Sequence, residues 1–311
     1  MPAINSTASP HQERPLNKPV IHPNWLRAPS GMTDGFSLEI TAKDVAALRR
    51  VAPNLPPQTP VAVTFLPGEE LDARIAAIKT IRALGLEPMP HFSARRLRSF
   101  DEFKTYLYRA VEEAGVRRCF VIAGDPTEPA GPFFNSATLI GTGEFESAGI
   151  TAIGIGGHPE GHPNMTPEEC WTVLDQKRGE IERRGMASLI VTQFGFDAAA
   201  ILRWLAELRS RQIDTPVRIG IPGPAGIATL VKFAARCGVA ASSAVLTKYG
   251  VSMSKLIGAA GPDKLVDALS EGLCTQHGAV RLHFYPFGGL ERTVGWIHDY
   301  DKSHPLAGRK R

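Results

Sequence analysis

The feature of this sequence that most constrains its fold is a short apolar run followed by a helix-like stretch, repeated along most of the chain. Eight apolar runs of five to seven residues are suited to buried parallel strands. They lie at 36–40, 60–66, 88–92, 117–123, 150–155, 188–193, 216–221 and 279–284. Eightfold alternation of strand and helix is typical of a (β/α)8 TIM barrel. We therefore predict a single-domain α/β barrel, with an open, doubly wound sheet as the alternative.

The stretches between these runs carry apolar residues at three- and four-residue spacing, which predicts helices. The predicted helices span 69–85, 100–115, 166–185, 197–210, 225–237 and 262–276. Thr166 precedes Pro167 and two glutamates, a typical start for a helix. Gly85, Gly115 and Gly185 stand where a left-handed residue commonly ends one.

The two ends of the chain differ in character. Residues 1–30 are polar and contain many prolines, which remove backbone donors and block helices, so we predict an extended N-terminal arm. Residues 31–311 are assigned to the barrel. Within it, the alanine- and serine-rich segment 239–257 is predicted to be an insertion that packs against neighbouring elements or forms an oligomer contact.

Composition and charge exclude several classes of protein. The formal net charge of +4 is too small to indicate nucleic-acid binding, and no apolar stretch reaches the roughly 18 residues of a membrane span. The four cysteines form no CxxC pair and have no metal-ligand spacing, so we interpret them as reduced thiols of a cytoplasmic protein. Self-association into a homo-oligomer is a further prediction.

Polar residues accumulate where the predicted strands end. In a TIM barrel the carboxyl ends of all the strands meet at one mouth, and the active site lies there. The residues concerned are Glu39, Thr64, His91, Gly124, Asp125, His158, His162, Thr192, Gln193, His283 and Tyr285. One polar strand end has little meaning, but so many predict a polar cavity at this mouth.

Glu39 interrupts the apolar run of the first predicted strand. An unpaired buried carboxylate is unfavourable, so two interpretations are open. Either Glu39 pairs with a cation, or its pKa is raised and it serves as a general acid.

His158 and His162 are four residues apart, which resembles a zinc-ligand spacing. Pro159 and Gly161 between them disfavour a regular helix, and His-Pro-Glu-Gly-His is not the helical His-Glu-x-x-His motif. With no third ligand nearby in the sequence, we predict that no metal is bound. Glycines beside imidazoles favour a loop that closely approaches an anionic or planar ligand.

Taken in order, these motifs resemble the methylenetetrahydrofolate reductase family over residues 36–290. The resemblance is carried by Glu39, His91, Gly124-Asp125, the segment HPEGHP at 158–163, the segment TQFGFD at 192–197, Pro222-Gly223 and the segment HFY at 283–285. It implies a TIM barrel with FAD at the carboxyl-terminal mouth, in the short bacterial form without a regulatory domain. It also implies interconversion of 5,10-methylenetetrahydrofolate and 5-methyltetrahydrofolate by hydride transfer through flavin N5, with NADH or NADPH as a possible electron donor.

The resemblance also implies roles for individual residues. Glu39 corresponds to the general acid, and Asp125 to a catalytic aspartate near the flavin and pterin. Contacts with FAD are implied for Thr64, His91, Ala123, Gly124, Asp125, His158, His162 and Lys177. Contacts with the folate are implied for Asp125, Gln193, Phe196 and Tyr285.

The sequence departs from the family at several of these strand ends. Ile40-Thr41-Ala42-Lys43 replaces the usual Phe-Phe-Pro-Pro, and Pro286-Phe287-Gly288-Gly289 replaces Thr-Leu-Asn-Arg. His158 stands where many members have tyrosine. Three alternatives therefore stay open: another barrel flavoprotein, a pterin methyltransferase, or a non-catalytic relative that binds folate or flavin.

Overall fold

A computed structural model describes residues 31–237 and 259–304. The predicted arm at 1–30 and the predicted insertion at 239–257 lie outside the described residues. Eight parallel strands close into a barrel, which confirms the predicted fold. They are β1 Ser37–Ile40, β2 Pro60–Val63, β3 Glu87–Ser93, β4 Arg118–Ile122, β5 Ala152–Gly157, β6 Ala187–Phe194, β7 Val217–Pro222 and β10 Val280–Tyr285. Two short strands, β8 Ala225–Gly226 and β9 Ala259–Ala260, pair antiparallel outside the barrel.

Every predicted apolar run overlaps one barrel strand. The largest difference is at 60–66, where β2 ends at Val63. The Thr64 N–H still bonds the Ile40 carbonyl at 2.9 Å, and the chain then leaves the sheet through Gly68, whose φ is +72°. The left-handed conformation of Gly68 turns the backbone within this loop, beyond the end of β2.

Helices surround the barrel, and all six predicted helices are present in shorter form. In the described residues they are α1 Val45–Val51, α2 Leu71–Ala83, α3 Phe100–Ala114, α4 Ser136–Ile140, α5 Glu144–Ser147, α6 Pro167–Arg183, α7 Ala198–Ser210, α8 Ile227–Cys237, α9 Asp263–Gly272 and α10 Leu290–Ser303. The predictions omitted α1, α4, α5 and α10. The predicted signals at Thr166 and Gly115 are confirmed: Thr166 and Glu169 form a reciprocal capping box, and Gly115 ends α3 in the left-handed region.

None of the described helices is long and apolar enough to cross a membrane. Most buried apolar side chains form one core between the sheet and the helices. A second, smaller cluster contains Ala62, Met89, Phe120 and Val191, which belong to four different barrel strands. A Cβ on Gly154 would lie 2.6 Å from the Phe120 ring, so glycine on β5 makes room for that ring. An apolar layer thus fills the middle of the barrel.

Candidate active site

Glu39 lies on β1 between two histidines that come from strands far away in sequence. Its Oε2 is 3.4 Å from Nε2 of His91 on β3 and 3.8 Å from Nε2 of His283 on β10. Nδ1 of His283 is hydrogen bonded to Ser37 Oγ at 2.8 Å, which fixes the orientation of that ring. The Glu39 side chain is 18% exposed, whereas those of His91 and His283 are 6% and 1% exposed.

This environment decides between the two interpretations of Glu39. Burial raises the pKa of Glu39, and His91 opposes the rise only in part. Burial also lowers the pKa of His91 to about 4 and that of His283 to about 3, so both imidazoles are neutral at pH 7. Among the described residues, no lysine or arginine lies within ion-pair distance of Glu39. The geometry therefore favours a carboxyl group with a raised pKa over a carboxylate paired with a cation.

The buried histidines should make the protein labile to acid. The pKa values of His91, His158 and His283 fall from an ordinary 6.5 to about 4, 3 and 3. The unfolded chain therefore takes up protons below pH 6.5 that the folded chain does not bind until lower pH. The resulting stabilisation is complete above pH 6.5 and is lost as the pH falls towards 4.

We expect the urea midpoint of unfolding to fall as the pH is lowered from about 7 to about 5. His283→Gln should reduce this dependence because it removes one of the groups that titrate on unfolding. An identical midpoint at both pH values would contradict the neutral state of the buried imidazoles.

A second group of basic side chains lies around the loop after β5 and on α6. The rings of His158 and His162 pack edge to face with their centroids 4.8 Å apart. Lys177 is buried, and burial lowers its pKa to about 8. Lys177 in turn helps to lower the pKa of both histidines. The described residues place no carboxylate within ion-pair distance of the Lys177 ammonium, so this group offers positive charge and N–H donors to an anion.

The described part of the chain contains no cluster of three or more histidine, cysteine, aspartate or glutamate side chains that could hold a metal ion. His162 Nδ1 instead accepts a hydrogen bond from the Asn164 N–H at 3.2 Å.

Asp125 and Gln193 lie on loops or strand ends at the same mouth, but in more open surroundings than Glu39. The Asp125 side chain is 75% exposed, and its Oδ2 is 3.1 Å from Nη2 of Arg96. Gln193 is half-buried, and its Oε1 accepts a hydrogen bond from the Phe194 N–H at 3.1 Å. Both side chains are accessible to a ligand.

Tyr285 and Phe196 belong to an aromatic group that the sequence indicated only in part. The Tyr285 hydroxyl donates to the Thr192 carbonyl at 3.0 Å, and its ring packs against His283 and Phe287. Phe196 is fully buried and meets Phe194 edge to face. The sequence predicted Tyr285 and Phe196 but not Phe194 or Phe287.

Glu160 is a further residue that the sequence analysis missed. Its Oε1 accepts the N–H groups of Phe196 and Asp197 at 2.6 and 2.9 Å. It therefore connects the loop after β5 to the loop after β6. A carboxylate between two histidines in the segment 158–162 was the available signal for this role.

Two buried hydroxyls at this mouth have no hydrogen-bond partner among the described residues. They are Thr64 Oγ1, just after β2, and Ser93 Oγ, at the end of β3. Gly124, with a φ of +93°, passes so close to Ser93 that a Cβ there would lie 2.2 Å from Oγ. The neighbouring Ala123 carbonyl accepts the Arg95 N–H at 2.9 Å. Buried hydroxyls without partners are unfavourable, so they mark places where a ligand can donate or accept.

The sequence-predicted residues thus fall into separate groups. Glu39, His91, His283 and Tyr285 form one, and His158, His162 and Lys177 form another. Asp125 pairs with Arg96, which the sequence analysis did not single out. Thr64 carries one of the two buried hydroxyls, and Gly124 lies against the other, that of Ser93.

Comparison with proteins of known structure and with curated proteins shows which proteins this chain is similar to. Among the solved structures, a dihydropteroate synthase from Thermus thermophilus is 10% identical, with a TM-score of 0.46, and the alignment covers 86% of this chain and 94% of that one. So distant a likeness supports no functional argument.

Curated relatives are closer. The chain is 26% identical over 239 residues to 5,10-methylenetetrahydrofolate reductase of Pectobacterium carotovorum, covering 74% of this chain and 75% of that protein. It is 26% identical over 162 residues to methylenetetrahydrofolate reductase 2 of Saccharomyces cerevisiae, covering 49% of this chain but only 26% of the yeast protein. A family model described as methylenetetrahydrofolate reductase matches residues 43–294. Because that match spans most of the sequence, the resemblance is confirmed and the chain belongs to the methylenetetrahydrofolate reductase family.

Proposed function

We propose that this protein is an FAD-dependent methylenetetrahydrofolate reductase in which Glu39 is the general acid. The observation that carries the proposal is a buried carboxyl group with a raised pKa at the mouth of the barrel, flanked by two neutral histidines. The family match begins after Glu39, at residue 43, so the role of this residue rests on its geometry and on the sequence motifs.

Reduction of the methylene group to a methyl group requires the five-membered ring of the folate to open, and the ring nitrogen that is released must take up a proton. A carboxyl group that stays protonated near neutral pH can supply it. His91 and His283 carry no charge at that pH, so they do not stabilise the carboxylate as a cation would. Ser37 holds the His283 ring in place beside Glu39.

The residues at the mouth fit FAD. The unpartnered hydroxyls of Thr64 and Ser93 can bond its polar atoms, and Gly124 leaves room for the Ser93 side chain. Lys177, His158 and His162 can hold its phosphates, since they supply positive charge and N–H donors without a carboxylate partner. Bound FAD would supply the hydride, through N5 of its reduced ring.

The folate would contact the more open side chains. Asp125 offers a carboxylate to the donor edge of a pterin, and Gln193 offers an amide with both donor and acceptor groups. Tyr285 and Phe196 contribute an aromatic wall, of which the fully buried Phe196 forms the inner part. NADH or NADPH is the proposed electron donor, and the proposed assembly is a homo-oligomer. The proposed location is the cytoplasm, where the free thiols of Cys119, Cys170 and Cys274 would stay reduced.

The proposal predicts that the purified protein binds FAD and shows the visible absorption band of oxidised flavin. After anaerobic reduction, 5,10-methylenetetrahydrofolate should restore this band and yield 5-methyltetrahydrofolate. Stopped-flow reduction with NADH and NADPH, offered separately, identifies the donor. A methyltransferase or a non-catalytic relative would bind folate without reoxidising the flavin, and protein that takes up no FAD would contradict the proposal outright.

A further inference from the structure

A cavity lies at the end of the barrel opposite Glu39. It has a volume of about 390 Å³ and is lined by residues at or just before the beginnings of the strands. Among them are Pro60, Glu87, Arg118, Ala152, Ala187 and Pro216. Because the candidate active site occupies the carboxyl ends of the same strands, the apolar middle layer around Phe120 separates the two.

Two arginines extend into this cavity from opposite sides of the barrel. Arg118 begins β4, and Arg218 is on β7. Arg218 is only 5% exposed and donates to the backbone carbonyl of Gly35 at 2.9 Å. Burial, together with repulsion from Arg118 and Arg281, lowers the pKa of Arg218 to about 9, which leaves it charged at neutral pH.

Three carboxylates line the cavity, those of Glu87, Glu182 and Asp214. Glu87 and Glu182 are engaged with other cations, and Asp214 interacts electrostatically with Arg209. Glu87 is bound by both terminal nitrogens of Arg82, at 2.8 and 3.1 Å. Glu182 is bound by Arg178 at 2.9 Å.

Arg118 stands apart from these pairs. Among the described residues, its guanidinium has no hydrogen bond and no carboxylate within ion-pair distance. Burial lowers its pKa, with Glu87 opposing and Arg82 adding to that shift. A half-buried cation that also repels Arg218 destabilises the fold unless an anion compensates it.

The remaining wall is mixed. Met89, Leu189 and the prolines Pro60 and Pro216 supply apolar surface, and Thr151, Ser188, Gln212 and Thr215 supply polar groups. Two guanidinium groups that line one cavity are suited to a small organic anion, since arginine matches phosphate and carboxylate with paired N–H donors. We propose that this cavity is a second ligand site, in which Arg118 and Arg218 bind the phosphate or carboxylate group of a small molecule.

The test measures binding of inorganic pyrophosphate and of citrate to the FAD-saturated protein by titration calorimetry at constant ionic strength. Arg118→Met should weaken binding at least tenfold. Arg178→Met is the matched control, because Arg178 lines the same cavity but is compensated by Glu182, and its affinity should stay within twofold of wild type. Lys177→Met, at the other mouth, should also leave the affinity for both probes unchanged, which distinguishes this cavity from the proposed phosphate site around Lys177.

The ligand-free Arg118→Met variant should be at least as stable as wild type, since the substitution removes a charge that repels Arg218. If this variant does not fold, Arg118→Lys replaces it: the charge is kept, the paired donors are lost, and binding should weaken. If only pyrophosphate binds saturably, the cavity is a phosphate site. If only citrate binds saturably, it is a carboxylate site. No saturable binding of either probe, or equal binding by Arg118→Met and wild type, would overturn the proposal.

Discussion

Glu39→Gln is expected to lower the rate of methylenetetrahydrofolate reduction by about 10²- to 10⁴-fold, the range typical for loss of a general acid. The amide keeps the shape of the side chain between His91 and His283 but has no proton to give. FAD binding should be unchanged, because the groups proposed to hold its phosphates lie elsewhere, around Lys177. The measurement is anaerobic reoxidation of the reduced flavin by the folate, in single turnover.

A control variant and the amount of bound flavin separate an effect on catalysis from an effect on structure. Glu69→Gln is the control, since Glu69 lies in the loop after β2 and accepts the backbone N–H groups of Ala42 and Leu66. It should retain the wild-type rate. Undiminished reoxidation in Glu39→Gln would show that the acid is misassigned, and loss of bound flavin would point to a structural role instead.

The same variant should alter the pH dependence of stability. A folded-state pKa raised above the ordinary 4.5 means that the contribution of Glu39 is complete below pH 4.5 and is lost as the pH rises through the folded value. Glutamine does not titrate, so its contribution to stability does not depend on pH. Urea unfolding of Glu39→Gln should therefore show a gain over wild type at neutral pH that is absent in acid. A loss at neutral pH would indicate that the carboxylate is stabilised after all.

The fold was predictable because a parallel strand that is buried on both faces appears in the sequence as a short apolar run. Such a run can be recognised without knowing the long-range contacts. All eight runs could be found from their apolar residues, and the ends of helices from residues such as Thr166 and Gly115. The missed helix α10 carried the same signal, since Leu290, Val294 and Ile297 are spaced by four and three residues and are buried. The short helices α4 and α5 have too few residues for a periodicity to be recognised.

The chemistry of the site was predictable only in part. Glu39 could be singled out because it interrupts an apolar run, but its protonation depends on two histidines from β3 and β10, which only the closed barrel brings to it. The cavity at the opposite mouth left no signal in the sequence. Arg118 and Arg218 each look like an ordinary charge near the start of a strand, and their proximity follows from the curvature of the sheet.

Lys177→Met is expected to weaken FAD binding about 10- to 100-fold, the loss that follows from removing one charged hydrogen bond to a phosphate. Lys177 is buried and has no carboxylate partner among the described residues, so burial disfavours its charge unless an anion is bound. Removing it should therefore leave the apoprotein folded and at least as stable. Lys79→Met is the control, because Lys79 forms an exposed ion pair with Glu113.

The pH dependence of FAD binding gives a sharper test. The pKa of Lys177 is lowered to about 8 in the ligand-free protein, so the ammonium loses its proton as the pH rises through that value. The dissociation constant of FAD in wild type should accordingly increase between about pH 7 and about pH 9, whereas that of Lys177→Met should stay nearly constant. Fluorescence titration of the apoprotein with FAD measures both. Parallel pH profiles for the two proteins would mean that another cation holds the phosphates, and of the basic side chains near this loop Arg95, which helps to lower the pKa of His162, would be the next to replace.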